Sequence, residues 1–134
     1  MAKLVPYLYF NGECEKAMNF YKDCFGGELQ LMRAEGSEME ARVPPESRKR
    51  IIHASLAEGD FLLFASDSFT PGGTKEGDNV AISISFDTEN DLRNSFSKVS
   101  SGGRILMPVQ KPFWGGFYGV VTDKYGVRWE MMSQ

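Results

Sequence analysis

An internal repeat constrains this 134-residue chain more than any other feature. Gly26-Gly27 and Gly102-Gly103 lie 76 positions apart, and an ungapped shift by that amount matches Leu8 with Ile84, Phe10 with Phe86, Phe20 with Phe96 and Leu29 with Ile105. The same order of patterns surrounds each diglycine. Leu4 to Phe10 is an apolar and aromatic run suited to a strand. From Glu13 to Phe25 the residues Cys14, Ala17, Met18, Tyr21 and Phe25 recur three and four apart, which predicts a helix with one buried stripe. Gly26-Gly27 stops that helix, because glycine alone enters the left-handed region without strain. Leu29, Leu31 and Arg33 alternate with polar neighbours in a half-exposed strand, and polar Ala34 to Ser47, with Pro44-Pro45, reads as a long mobile loop. Ile51 to Ala57 and Phe61 to Ser66 make a hairpin around Glu58-Gly59-Asp60.

The second copy follows the segment 67–79, which is rich in Gly, Pro and charge. Val80, Ile82, Ile84 and Phe86 alternate with Ala81, Ser83 and Ser85 in a period-two strand. Asp87 or Thr88 caps a helix reaching about Val99, and Arg104 to Met107 forms the next strand. An aromatic loop, Gln110 to Gly116, then precedes a hairpin of Phe117–Thr122 and Val127–Met132. The pattern predicts one α+β domain over 1–134, built from two tandem βαβββ modules at about 3–67 and 80–133. Each copy is too small to bury its sheet well, so the two are expected to form a curved mixed sheet around a cavity.

Composition narrows the function classes. No apolar run approaches the roughly 20 residues of a membrane span, so no membrane role is expected. A formal charge of -3 argues against nucleic acid, whose phosphates need concentrated Lys and Arg. The one basic cluster, Arg48-Lys49-Arg50, reads as a solvated loop end, and the N-terminus carries no secretory pattern. Cys14 and Cys24 sit ten positions apart on one helix. That is about 15 Å, too far for a disulfide, which predicts two structural thiols in a reducing cytoplasmic setting.

Alternation also assigns faces. With Leu4, Leu8 and Phe10 under the first helix, Val5, Tyr7 and Tyr9 point the other way. Val80, Ile82, Ile84 and Phe86 pack under the second helix, leaving Ala81, Ser83 and Ser85 opposite. Ile52, Ala54 and Leu56 are helix-side and His53 and Ser55 opposite, just as Val127, Trp129 and Met131 leave Arg128, Glu130 and Met132 opposite. The expected cavity is lined by Tyr7, Tyr9, His53, Ser55, Ser83, Ser85, Arg128 and Glu130, a convergence of polar and aromatic groups suited to a small-molecule ligand.

Particular motifs carry a family resemblance. Pro6-Tyr7-Leu8-x-Phe10, Ala17-x-x-Phe20-Tyr21-x-x-x-Phe25-Gly26-Gly27, His53-Ala54, Trp114, and Tyr118-Gly119-x-Val121-x-Asp123-x-Tyr125-Gly126-Val127-x-Trp129-Glu130 resemble the PhnB-like branch of the vicinal oxygen chelate superfamily. That superfamily includes glyoxalase I, extradiol dioxygenases and the bleomycin- and fosfomycin-resistance proteins. The resemblance implies the paired-module fold, a homodimer, and a ligand site whose residues include Trp114 and Tyr118. Some PhnB-like proteins carry a methyltransferase label, but no glycine-rich nucleotide loop follows a strand here. In metal-dependent relatives each module gives one ligand from its first strand and one from its fourth. Carried over, those positions are about Val5, Ala81, Leu63 to Ala65, and Glu130. Only Glu130 is a donor, so no cofactor is expected, and Glu130 is a metal ligand only if a divalent ion binds.

Each candidate has a bland counterpart. His53 is a general base or ligand contact, or an inward histidine with no chemistry. Glu130 is catalytic, or a structural partner of Arg128 two residues away on the same face. The loop around Phe113, Trp114 and Phe117 covers a ligand, a partner subunit or core. The favoured function is binding, and conversion where His53 and Glu130 move a proton, of a small apolar or aromatic metabolite. Sequestration without chemistry is the alternative, and a metal-dependent lyase or dioxygenase the weaker one.

Overall fold

The computed structural model describes residues 1–134 as two compact units, Met1–Lys75 and Glu76–Gln134. The first unit runs β1 (Tyr7–Phe10), α1 (Cys14–Phe25), β2 (Glu28–Arg33), β3 (Ile51–Glu58) and β4 (Phe61–Asp67). The second repeats the order as β5 (Ile82–Phe86), α2 (Glu89–Ser100), β6 (Arg104–Gln110), β7 (Phe117–Thr122) and β8 (Arg128–Ser133). Each forms a four-stranded mixed sheet, ordered β1-β4-β3-β2 in one and β5-β8-β7-β6 in the other. The first strand of each module pairs in parallel with the fourth, and the remaining pairs are antiparallel. These are the two βαβββ modules expected from the repeat.

In the first unit α1 packs on β2, β3 and β4. Its buried stripe is Cys14, Ala17, Met18, Tyr21 and Cys24. Cys24 thus replaces Phe25, which the spacing had placed inside, because the chain turns at Gly26 (φ 80°) and carries Phe25 to the sheet's end against Phe61. Both cysteines are buried thiols. Burial, reinforced by the charges of Asp67 and Glu15, pushes the Cys14 thiol up to about 12, so it stays protonated.

In the second unit α2 packs on all four strands, and Leu92, Phe96 and Val99 form its buried stripe. Thr88 caps α2, its hydroxyl accepting from the Asp91 amide at 3.1 Å. Gly119 on β7 lets Phe96 come close, since a β-carbon there would lie 2.8 Å from the ring. Val121, Trp129 and Met131 fill the rest of this core.

Three expectations about faces are corrected. Leu4 (99% exposed) and Val80 (72% exposed) lie outside the core, because strand pairing begins only at Tyr7 and Ile82. On β3, Met32 pairs with His53 but Arg33 with Ile51, so Ile52 is an extra residue in a bulge. The bulge reverses the phase, and Ile51 rather than Ile52 joins Ala54 and Leu56 inside. The 34–47 loop contains two short 3-10 helices, buries Ala34 and Val43, and is tied to the strand end by Ala34 and Glu35 amides donating to the Arg50 and Arg48 carbonyls.

Asp67 does more than begin a linker. It ends β4, is buried, and accepts from the Gly12 and Cys14 amides at 2.9 and 3.0 Å and from the Ile51 amide at 2.9 Å. Glu13, at the ordinary cap position of α1, makes no cap bond, so Asp67 caps that helix from across the sheet. Asp67→Ala leaves three amides without an acceptor and is expected to destabilise the protein by about 3 kcal/mol in urea unfolding. A loss below about 1 kcal/mol would show that water replaces the carboxylate without penalty.

Candidate functional site

One helix covers one face of each sheet, so the other face is where polar and aromatic side chains gather. In module one the residues Tyr7, Tyr9, His53 and Ser55 all lie on the face away from α1. The Tyr7 hydroxyl is 3.1 Å from His53 Nδ1, and Tyr9 stacks beside Tyr7 with ring centroids 5.0 Å apart. Phe64, paired with both Tyr7 and Ser55, meets the imidazole edge-on at 4.9 Å. His53 therefore stands between two aromatic rings, Tyr7 and Phe64, with a tyrosine hydroxyl fixing one ring nitrogen. The alternation placed these four residues on one face, but Phe64 was missed, since an aromatic in an apolar strand carries no signal of its own.

Module two presents a different chemistry at matching positions. Tyr7 pairs with Phe64 and Ser83 with Glu130, so Glu130 takes the place of Phe64. Ala54 pairs with Ala65 and Gly119 with Met131, so by the same count Tyr118 takes the place of His53. Tyr118 donates its hydroxyl to Glu130 Oε1 at 3.1 Å. Partial burial, then the bond to Glu130 and its charge, push the Tyr118 phenol above its ordinary range, opposed by the positive charge of Arg128. Arg128 does not pair with Glu130: its Nη1 donates to the Asp78 carbonyl at 3.1 Å. Glu130 is satisfied by Tyr118 instead, a pairing hidden in the sequence because the long loop of module one shifts the repeat offset before the last two strands.

Beside this pair lies a concavity of about 360 Å³ whose lining includes Phe86, Trp114, Phe117, Tyr118 and Met132 together with the polar residues Ser85, Asp87, Ser133 and Gln134. Trp114 is 65% exposed and packs edge-on against both Phe113 and Tyr118. Gly115 and Gly116 have positive φ (96° and 70°), which turns the loop so that Trp114 lies over the end of β7. Ser83 and Ser85 are exposed on the neighbouring β5.

The donor set does not fit the metal centre of metal-dependent relatives. The registered first- and fourth-strand pairs are Tyr7 with Phe64 and Ser83 with Glu130, one carboxylate in all, and its oxygen already accepts from Tyr118. Neither module gathers three His, Cys, Asp or Glu side chains. A tightly held catalytic ion takes about three protein ligands, so no step is derived through a metal.

Comparisons with known proteins agree with the fold. Protein YjdN of Escherichia coli strain K12 is 27% identical over 136 residues, spanning 94% of this chain and 91% of YjdN. The crystal structure of protein PA1353 from Pseudomonas aeruginosa has a TM-score of 0.88 and 31% identity, covering 100% of this chain and 98% of that one. A PhnB protein from Bacillus cereus has a TM-score of 0.80 and 25% identity, covering 99% of this chain and 100% of its own. Residues 3–131 match the sequence profile of one superfamily, and on that match the chain belongs to the Glyoxalase/Bleomycin resistance protein/Dioxygenase superfamily.

Proposed function

We propose that this protein binds a small, largely apolar or aromatic metabolite, with the concavity of module two as its aromatic subsite. The observation that carries this reading is the set of rings around that space, Phe86, Trp114, Phe117 and Tyr118, beside one polar pair, Tyr118–Glu130. A cleft with apolar walls and few placed polar groups gains affinity from ring burial and orientation from the hydrogen bonds. Trp114 and Tyr118 supply contact area, Ser83 and Ser85 offer hydroxyls at the edge, and Glu130 fixes the tyrosine. Arg128 adds positive charge on the same face.

Conversion of the ligand is a second reading, favoured by the Tyr7–His53 contact at 3.1 Å. In the tautomer whose Nδ1–H donates to Tyr7, Nε2 carries a lone pair and can act as a base. Tyr7 and Phe64 flank that base. Sequestration needs only the binding surfaces, so the two readings part on His53.

The exposed β6 residues Ile105, Leu106 and Met107 support a homodimer in which this edge strand meets a second copy. Ile105→Lys is expected to turn a dimer into a monomer in sedimentation velocity, and a wild-type monomer would overturn this assignment.

Trp129 is fully buried and Trp114 exposed, so fluorescence quenching by acrylamide reports mainly Trp114. Aromatic ligands are expected to protect Trp114 from the quencher, and Trp114→Ala to weaken binding about tenfold or more. Ligands that bind without protecting Trp114 would place the subsite elsewhere. Turnover of a bound ligand that is lost in His53→Ala supports conversion, and binding unchanged by that substitution, without turnover, supports sequestration.

Glu130 raises the Tyr118 phenol, so Glu130→Gln is expected to lower its titration towards that of an ordinary tyrosine while leaving the larger effect of burial. Phenolate absorbance followed against pH in both proteins measures it. Identical titrations would remove Glu130 as the partner of Tyr118.

A further inference from the structure

Strand register lines up Arg128, whose charge the proposed site already includes, with two side chains that site does not use. Thr122 on β7 pairs with Arg104 on β6 and with Arg128 on β8. Directly paired residues project to the same side of a sheet, so Arg104, Thr122 and Arg128 form one row across three strands. All three line a second concavity of about 360 Å³, whose lining also includes Glu76, Asp78 and Gly126. The row shares its face with Glu130 and Tyr118, because residues two and four places along a strand point the same way.

Neither arginine of the row is in a salt bridge. The salt bridges Arg33–Glu15 and Arg93–Glu89 both lie outside this site. Arg128 uses one nitrogen on the Asp78 carbonyl, a neutral acceptor, and Arg104 is exposed with no side-chain hydrogen bond. Two guanidinium groups flanking a hydroxyl offer several donors to one planar or tetrahedral oxyanion, the geometry in which arginine exceeds lysine. Glu76, whose carboxylate lies against Gly126, and Asp78 bring the concavity as a whole near neutrality, which disfavours polyanions. Along β7, Thr122 and Tyr118 are four residues apart, so the row and the aromatic concavity are separated by about 13 Å.

We propose that Arg104, Thr122 and Arg128 anchor the oxyanion, carboxylate or phosphate, of an elongated amphipathic ligand whose apolar end occupies the Trp114–Tyr118 concavity. This rests on the binding reading above and narrows its ligand class to an acid with a chain or linker between its charged and apolar ends. Neither the net charge nor any motif points to it, because the two arginines are 24 positions apart in sequence and meet only through the register of β7.

Calorimetry with phenylhexanoate, phenylhexyl phosphate and the neutral phenylhexanol tests it. At least one anion is expected to bind about tenfold tighter than the alcohol, and the stronger of the two identifies the oxyanion. Arg104→Gln and Arg128→Gln should each remove most of that advantage while leaving phenylhexanol binding unchanged. Arg42→Gln, an exposed charge of module one, should leave all three affinities alone. The proposal is overturned if the anions bind no better than the alcohol, or if their advantage survives the double Arg104→Gln/Arg128→Gln variant. Failure of the alcohol to bind strikes the aromatic subsite instead. The row is then read with inorganic phosphate alone, through the arginine Nε–Hε NMR signals. Shifts confined to Arg104 and Arg128 sustain the anion anchor, and unmoved signals overturn it.

Discussion

A four-stranded sheet has two faces, and each module of this protein supplies one helix. That imbalance governs the structure. The face under the helix becomes a core of Ala54, Leu56, Leu63 and Ala65 in one module and of Val121, Trp129 and Met131 in the other. The face without a helix is left to side chains that tolerate or exploit partial exposure, here tyrosines, a histidine, serines, a carboxylate and arginines. Apolar burial stabilises each module only if its helix is held in place, and two buried aspartates help to hold the frame. Asp67 ties the start of α1 to β3. Asp123 accepts from the Tyr125 and Val127 amides and from Trp129 Nε1, which closes the last turn onto the central tryptophan. Each carboxylate accepts three hydrogen bonds, which offsets the cost of its burial.

The repeated topology gives the chain two versions of one surface, and they differ in chemistry. Where module one has His53 against Phe64 and Tyr7, module two has Tyr118 bonded to Glu130. The first version is an imidazole in an aromatic nest, and the second is a phenol held by a carboxylate. In neither version do the metal-ligand positions of metal-dependent relatives carry the donors an ion needs.

Much of the fold could be read without coordinates. The diglycine repeat, the three-and-four spacing of Cys14, Ala17, Met18 and Tyr21, and the alternation through Ile82, Ile84 and Phe86 each encode a local period. Local periods survive in sequence because every side chain on one face meets the same solvent or core. The errors occurred where pairing with a distant strand decides the outcome. Leu4 and Val80 have apolar side chains, yet no neighbouring strand reaches them. Ile52 follows the alternation, yet a bulge against Arg33 inverts it.

The sequence by itself determined the two modules, their helices, and the face on which Tyr7, Tyr9, His53, Ser55, Arg128 and Glu130 lie, since these depend on spacing within single elements. Only the tertiary structure decided that Tyr118 holds Glu130, that Arg128 turns to Asp78, that Asp67 caps a helix more than fifty residues away, and that Arg104 and Arg128 share a row. Each of these depends on register between strands. Register is set by the summed fit of whole elements, and no short stretch of sequence contains it.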